Sequence, residues 1–107
     1  MYYYAKTRAQ EAVTVFAKYN ELRHTRPNGT DWDTVYDDQN VITIGALGEN
    51  LGKVDNTSAS EVASKLVEAW MNSTLHRNNI LDSDYRQMSI AVVKSGDSYF
   101  IAQEFEG

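Results

Sequence analysis

Met88-Ser89-Ile90-Ala91-Val92-Val93-Lys94, then Ser95-Gly96-Asp97, then Ser98-Tyr99-Phe100-Ile101-Ala102-Gln103-Glu104-Phe105, is the stretch on which the fold turns. Two runs rich in β-branched and aromatic residues, joined by a short polar segment with a central glycine, read as a β-hairpin. Upstream of it the pattern becomes helical. Ser58 followed by Glu61 matches a capping box. Val62, Leu66, Ala69 and Trp70 then recur at helical spacing as far as Ser73, which caps a second short helix carrying Leu75 to Leu81. Lys53 to Thr57 reads as a polar loop, and the β-branched run Val41-Ile42-Thr43-Ile44 as a strand or extended segment leading into Gly45 and Gly48. Asp31 to Tyr36 reads as a helical turn that Asp31 caps and that packs Trp32 inward. Pro27-Asn28-Gly29 is a turn signal. From Ala5 to Leu22 one apolar stripe (Ala5, Ala9, Ala12, Val13, Phe16, Tyr19) marks a helix. Helix, strand, helix, hairpin in that order give an α+β domain, a small antiparallel sheet covered by helices.

The 107 residues suit one domain, 1–107. A net charge of −5 without clustered Lys and Arg argues against nucleic acid as a partner. No apolar run approaches the ~20 residues that cross a bilayer. Met1-Tyr2-Tyr3-Tyr4 has neither the basic start nor the apolar core of a signal peptide. With no cysteine, disulfides and thiolate metal sites are excluded, so a metal would need nitrogen and oxygen ligands. The acidic group Asp31 to Asp38 lacks the glycine and terminal glutamate of a calcium loop. No Gly-x-Ser-x-Gly elbow occurs either.

Both histidines open polar runs: His24 begins His24-Thr25-Arg26-Pro27-Asn28-Gly29, and His76 begins His76-Arg77-Asn78-Asn79-Ile80-Leu81. Between them a third polar run that reads as a turn, Gly48-Glu49-Asn50-Leu51, sets a carboxylate beside a glycine, which permits close backbone approach. Imidazole titrates near neutrality and ligates metals. Taken singly, each residue reads as well as a solvated loop charge or a boundary histidine, and no His-x-x-x-His spacing is present.

Together the runs resemble the CAP superfamily (cysteine-rich secretory proteins, antigen 5, pathogenesis-related 1), in its cysteine-free bacterial branch. The resemblance rests on Arg8-Ala9-Gln10-Glu11, the three runs above, Glu68-Ala69-Trp70-Met71-Asn72-Ser73 and the ending around Gln103, spanning Ala5 to Phe105. It implies an α-β-α sandwich with a central antiparallel sheet and a cleft lined by His24, Glu49 and His76, with Asn50 and Ser73 beside them. It further implies a secreted or cell-surface protein whose cleft holds a divalent metal, zinc first, or a peptide, glycan or lipid ligand of the cell envelope.

Three departures qualify the resemblance. Ser73 stands where many eukaryotic members carry a second acid. The family's opening helix is missing or reduced to Met1-Tyr2-Tyr3-Tyr4, an N-terminal shortening that would bare apolar surface and favour a homo-oligomer. Ser89 and Ala91 replace glycines usual in bacterial relatives.

Three functions follow, the third being an interaction module with a vestigial cleft. The first is a non-catalytic ligand- or metal-binding domain. The second is a metal-dependent hydrolase of peptide or cell-wall substrates with Glu49 as general base. Zinc hydrolysis needs ligands, an open position and a base. His24, His76 and Glu49 do not supply all three, which ranks binding first.

Overall fold

Helix α1 (Tyr2–Tyr19) buries Tyr4, Ala5, Arg8, Ala9, Ala12 and Val15, a stripe at helical spacing with small residues at its centre. The computed structural model describes residues 2–39 and 45–107. Tyr2 to Tyr4 form the first turn of α1, and Tyr4 packs on Tyr36 with ring centroids 4.4 Å apart. The helix stops at Tyr19 rather than Leu22 because Asn20 turns left-handed (φ 56°), the conformation that commonly ends helices. Its observed stripe runs through Val15, while Val13 and Phe16 are half-buried and Tyr19 is exposed.

The expected turn after Asp31 is a 3-10 helix, Trp32–Gln39. It buries Val35 and Tyr36, with Trp32 packed at the margin of that cluster. The stretch Val41 to Ile44, expected to be extended, lies outside the described residues.

Strand β1 (Leu47–Asp55) pairs antiparallel with β3 (Ser98–Glu106), which pairs antiparallel with β2 (Gln87–Ser95). The sheet order is β1-β3-β2. The hairpin stands where expected, closed by Gly96-Asp97 between the partners Ser95 and Ser98, with Gly96 at φ 60°.

β1 corrects the sequence reading. Gly48 to Leu51 is strand interior instead of a turn, and Lys53 to Asp55 continues it instead of opening a loop. A Cβ at Gly52 would meet the Leu66 methyl, and one at Gly48 would meet the Tyr85 hydroxyl and ring. Glycine is there to let neighbouring side chains lie flat on the strand, not to turn the chain.

Two layers of helix enclose the sheet. Ala5 and Ala9 of α1 pack on Leu51, Ala91 and Ala102. On the other face Val62, Leu66 and Trp70 of α2 (Ala59–Met71) pack on Ile101. Short α3 (Thr74–Leu81) follows after Asn72 and Ser73. Ser58 and Ser73 occupy the N-cap positions expected, yet neither side chain makes a cap bond. Thr57 instead donates to Glu61 (3.0 Å), and Ser73 turns to His76. Ala91 sits in the α1-facing core, paired in register with Ala102. Met88, Ile90 and Val92, on the opposite face of β2, remain exposed. No helix is long and apolar enough to cross a membrane among the described residues.

Candidate functional site

Arg8 interrupts the apolar stripe of α1, and its side chain is 0% exposed. An ion so placed needs fixed partners, and Glu49 of β1 provides them. Arg8 Nε donates to Glu49 Oε2 (2.7 Å) and Nη2 donates to Oε1 (3.0 Å), a two-pronged carboxylate–guanidinium pair. The remaining Arg8 donors reach Glu11 (Nη1 to Oε1, 2.9 Å) and the Arg23 carbonyl (3.2 Å).

The ion network continues outward. Arg26 Nε donates to both Glu11 oxygens at 3.1 and 3.0 Å. Its Nη1 and Nη2 bind Asp38 at 3.2 and 2.9 Å. Glu49, Arg8, Glu11, Arg26 and Asp38 thus alternate in sign and tie β1 to α1, the His24 segment and the 3-10 helix.

His24 sits on this network. Its Nδ1 lies 2.8 Å from Glu49 Oε1, with the imidazole side chain 56% exposed and Glu49 1% exposed. A carboxylate only accepts, so Nδ1 carries the hydrogen of this bond. Burial by itself would raise the Glu49 pKa. Hydrogen bonding from His24 and Arg8 outweighs it and holds the group below the usual carboxylate range.

His76 approaches from α3. Its Nδ1 is 2.8 Å from Ser73 Oγ, and its ring stacks on Trp70 (centroids 6.2 Å, planes 12° apart). Burial lowers its pKa, and repulsion from His24 adds to that, so the ring is neutral at physiological pH. That mutual influence places both imidazoles in one electrostatic neighbourhood. Trp70 is itself pinned by its indole N–H donating to the Leu51 carbonyl (3.0 Å).

Asn50 joins the halves. It donates to the His76 carbonyl (3.2 Å) and to Gln103 Oε1 (3.1 Å). Asn79 donates to Asn50 Oδ1 (2.9 Å) and to the Glu49 carbonyl (3.2 Å). His24 and Glu49 are therefore in direct contact, as are Ser73 and His76. The two pairs meet through the backbone of β1 and the amides of Asn50 and Asn79.

A zinc ion was implied for His24, Glu49 and His76. Glu49 does not fit as its third ligand, because both its oxygens are taken by a buried guanidinium that would repel a divalent cation. Among the described residues no three His, Asp or Glu side chains are grouped to hold a metal ion.

Sequence reasoning passed over Arg8, Glu11, Arg26, Asp38, Asn79 and Glu104 as site residues. Two left a signal: Arg8 in the apolar phase of a helix, and Glu104 in the phase of Phe100 and Ala102 along a strand buried on both faces. Glu104 is fully buried, and neither its carboxyl oxygens nor the Tyr36 hydroxyl has a hydrogen-bond partner among the described residues. Burial pushes its pKa far up, and the neighbouring Glu49 charge pushes further, so it is a neutral acid.

Comparison with known proteins adds three findings. A family model described as "CAP: Cysteine-rich secretory protein family" matches residues 1–105. The uncharacterized protein YkwD of Bacillus subtilis (strain 168) is 35% identical over 66 residues, 62% of this chain but 23% of that protein's length. Two solved structures share the fold. An outer surface protein from Borrelia burgdorferi superposes with a TM-score of 0.66 at 17% identity, covering 96% of this chain and 72% of that one. An extracellular protein containing a SCP domain from Bacillus anthracis str. Ames gives 0.63 at 21% identity, covering 94% of this chain and 32% of that one.

Proposed function

This chain belongs to the CAP, or cysteine-rich secretory protein, family, and on that premise we propose that it is a secreted or cell-surface domain whose cleft binds a ligand without transforming it. Relatives that carry the fold are an outer surface protein and an extracellular protein, which supports the location. The ligand is a peptide, glycan or lipid group of the cell envelope.

One observation carries the choice of binding over hydrolysis: the Glu49 carboxylate is occupied. It is 1% exposed, clamped by Arg8, and its remaining acceptor capacity orients His24. A general base must reach a substrate proton and hold it near neutral pH. Glu49, inaccessible and with its pKa held low, suits neither demand. What the cleft does offer are imidazoles locked in direction by Glu49 and Ser73, beside an indole that stacks on one of them. That is a recognition surface with fixed donors and acceptors.

The alternative is a metal-dependent hydrolase, which would need Glu49 released from Arg8 to act on peptide or cell-wall material. Self-association belongs to the same proposal, since Met88, Ile90 and Val92 stand exposed along strand β2 at the sheet edge.

Incubation with insoluble peptidoglycan and with casein tests the reading. Retention on peptidoglycan that His24→Ala and His76→Ala weaken, with no soluble fragments released from either substrate, is the expected result. Fragment release that Glu49→Gln abolishes, in a variant shown to be folded, overturns it in favour of the hydrolase.

A further inference from the structure

A hollow of about 240 Å³ lies between the C-terminal half of α1 and the segment that follows it, and none of His24, Glu49 or His76 lines it. The protein carries a net charge of −5, yet no carboxylate lines this hollow, while Lys18 and Arg23 do. Arg26 also borders it, but its charge is already paired with Glu11 and Asp38.

The other two cations keep N–H groups free among the described residues. The Arg23 guanidinium carbon lies 3.7 Å from the centre of the Tyr19 ring, a cation–π contact. Its Nε pairs with Glu21, while among the described residues neither Nη has a hydrogen-bond partner. Lys18 Nζ is 5.2 Å from the same ring and makes no ion pair among the described residues. As the basic residue in the last turn of α1 it is favoured there as a cation by the helix dipole.

Thr14 and Thr25 add hydroxyls, and Pro27 and Tyr19 add apolar surface. A pair of open guanidinium N–H groups is the shape complement of a carboxylate, and an ammonium nearby adds charge. The volume falls below the roughly 300–1,000 Å³ of pockets for drug-sized ligands, which limits the occupant to about one ring.

We propose that this hollow is a second binding site, for a carboxylate carried on a single ring, in which Arg23 and Lys18 take the carboxylate and Thr14, Thr25, Tyr19 and Pro27 take the ring. An acidic sugar and an aromatic acid share that chemistry. Hydroxyl contacts from Thr14 and Thr25 would favour the first, the apolar surface the second.

Backbone-amide NMR titration of the whole chain tests the proposal with sodium glucuronate and sodium benzoate, against glucose and benzyl alcohol as their uncharged counterparts. Saturable shifts confined to the Thr14–Tyr19 and Arg23–Gly29 amides, produced by at least one acid and by neither neutral compound, are expected. The tighter acid identifies the ring. Lys18→Glu, a change at an exposed side chain, and Arg23→Gln should each weaken that acid about tenfold or more, the loss of one charge-assisted contact. Added salt should weaken it too. Equal shifts from acid and neutral partner, no saturable shift with either acid, or full affinity in both variants overturns the site.

Discussion

Glu49 and Glu104 are direct cross-strand partners on β1 and β3, both buried, one an anion and the other a neutral acid. Two carboxylates in such positions cannot both ionise. Arg8 decides which one does. Its guanidinium binds Glu49 through two hydrogen bonds and makes none to Glu104. The charged partner is therefore the one that orients His24.

A pH dependence follows from Glu104. Its folded pKa is raised above the unfolded value, so its stabilising contribution is complete below the ordinary glutamate range near 4.5 and is lost as pH rises above it. Glu104→Gln removes that loss. Chemical denaturation should show the variant gaining on the wild type by up to about 1.4 kcal/mol per pH unit between mildly acidic and alkaline pH. Parallel stability curves across that window would show Glu104 to be ionised in the fold.

Arg8 and Glu49 should be strongly coupled. Glu49→Gln leaves a buried guanidinium short of charge and should cost about 3 kcal/mol, as should Arg8→Met with the roles reversed. The double variant should lose less than the two single losses added together, by about 1–3 kcal/mol in a denaturation cycle. Additive losses would mean that the pair is not formed.

Zinc provides a third check. With Glu49 held by Arg8, any zinc response of the His24 and His76 ring signals should be the same in the wild type and in a folded Glu49→Gln variant. A response that needs Glu49 would reinstate the three-ligand centre. Either way it should fade in acid, because a ligating imidazole must be neutral, and the lowered pKa of His76 carries its neutral form below the ordinary imidazole range.

The edge strand gives a fourth. Ile90→Lys with Val92→Lys places two charges on exposed positions of β2 and should lower concentration-dependent self-association in sedimentation velocity. Stability should change by about 0.5 kcal/mol or less, since neither side chain is in the core.

Much of this architecture was legible in the linear pattern. The spacing of Val62, Leu66 and Trp70 marks α2, and the polar break at Gly96-Asp97 marks the hairpin. These are local signals, set by which residues fall on one side of a helix or suit a tight turn. The histidine and glutamate runs were tied together only by the family resemblance, and His24 does touch Glu49.

β1 was misread because its signal is not local. Gly48 and Gly52 resemble turn residues until Tyr85 and Leu66, far along the chain, lie across them. The state of Glu49 was hidden for the same reason. Arg8 and Glu49 are 41 positions apart, and Glu49 and Glu104 influence each other's ionisation only once β1 and β3 align. Sequence alone determined the helices and the hairpin, because each depends on near neighbours. Which carboxyl is charged, and what it is free to bind, was decided by tertiary structure, because burial and long-range pairing set the cost of every charge.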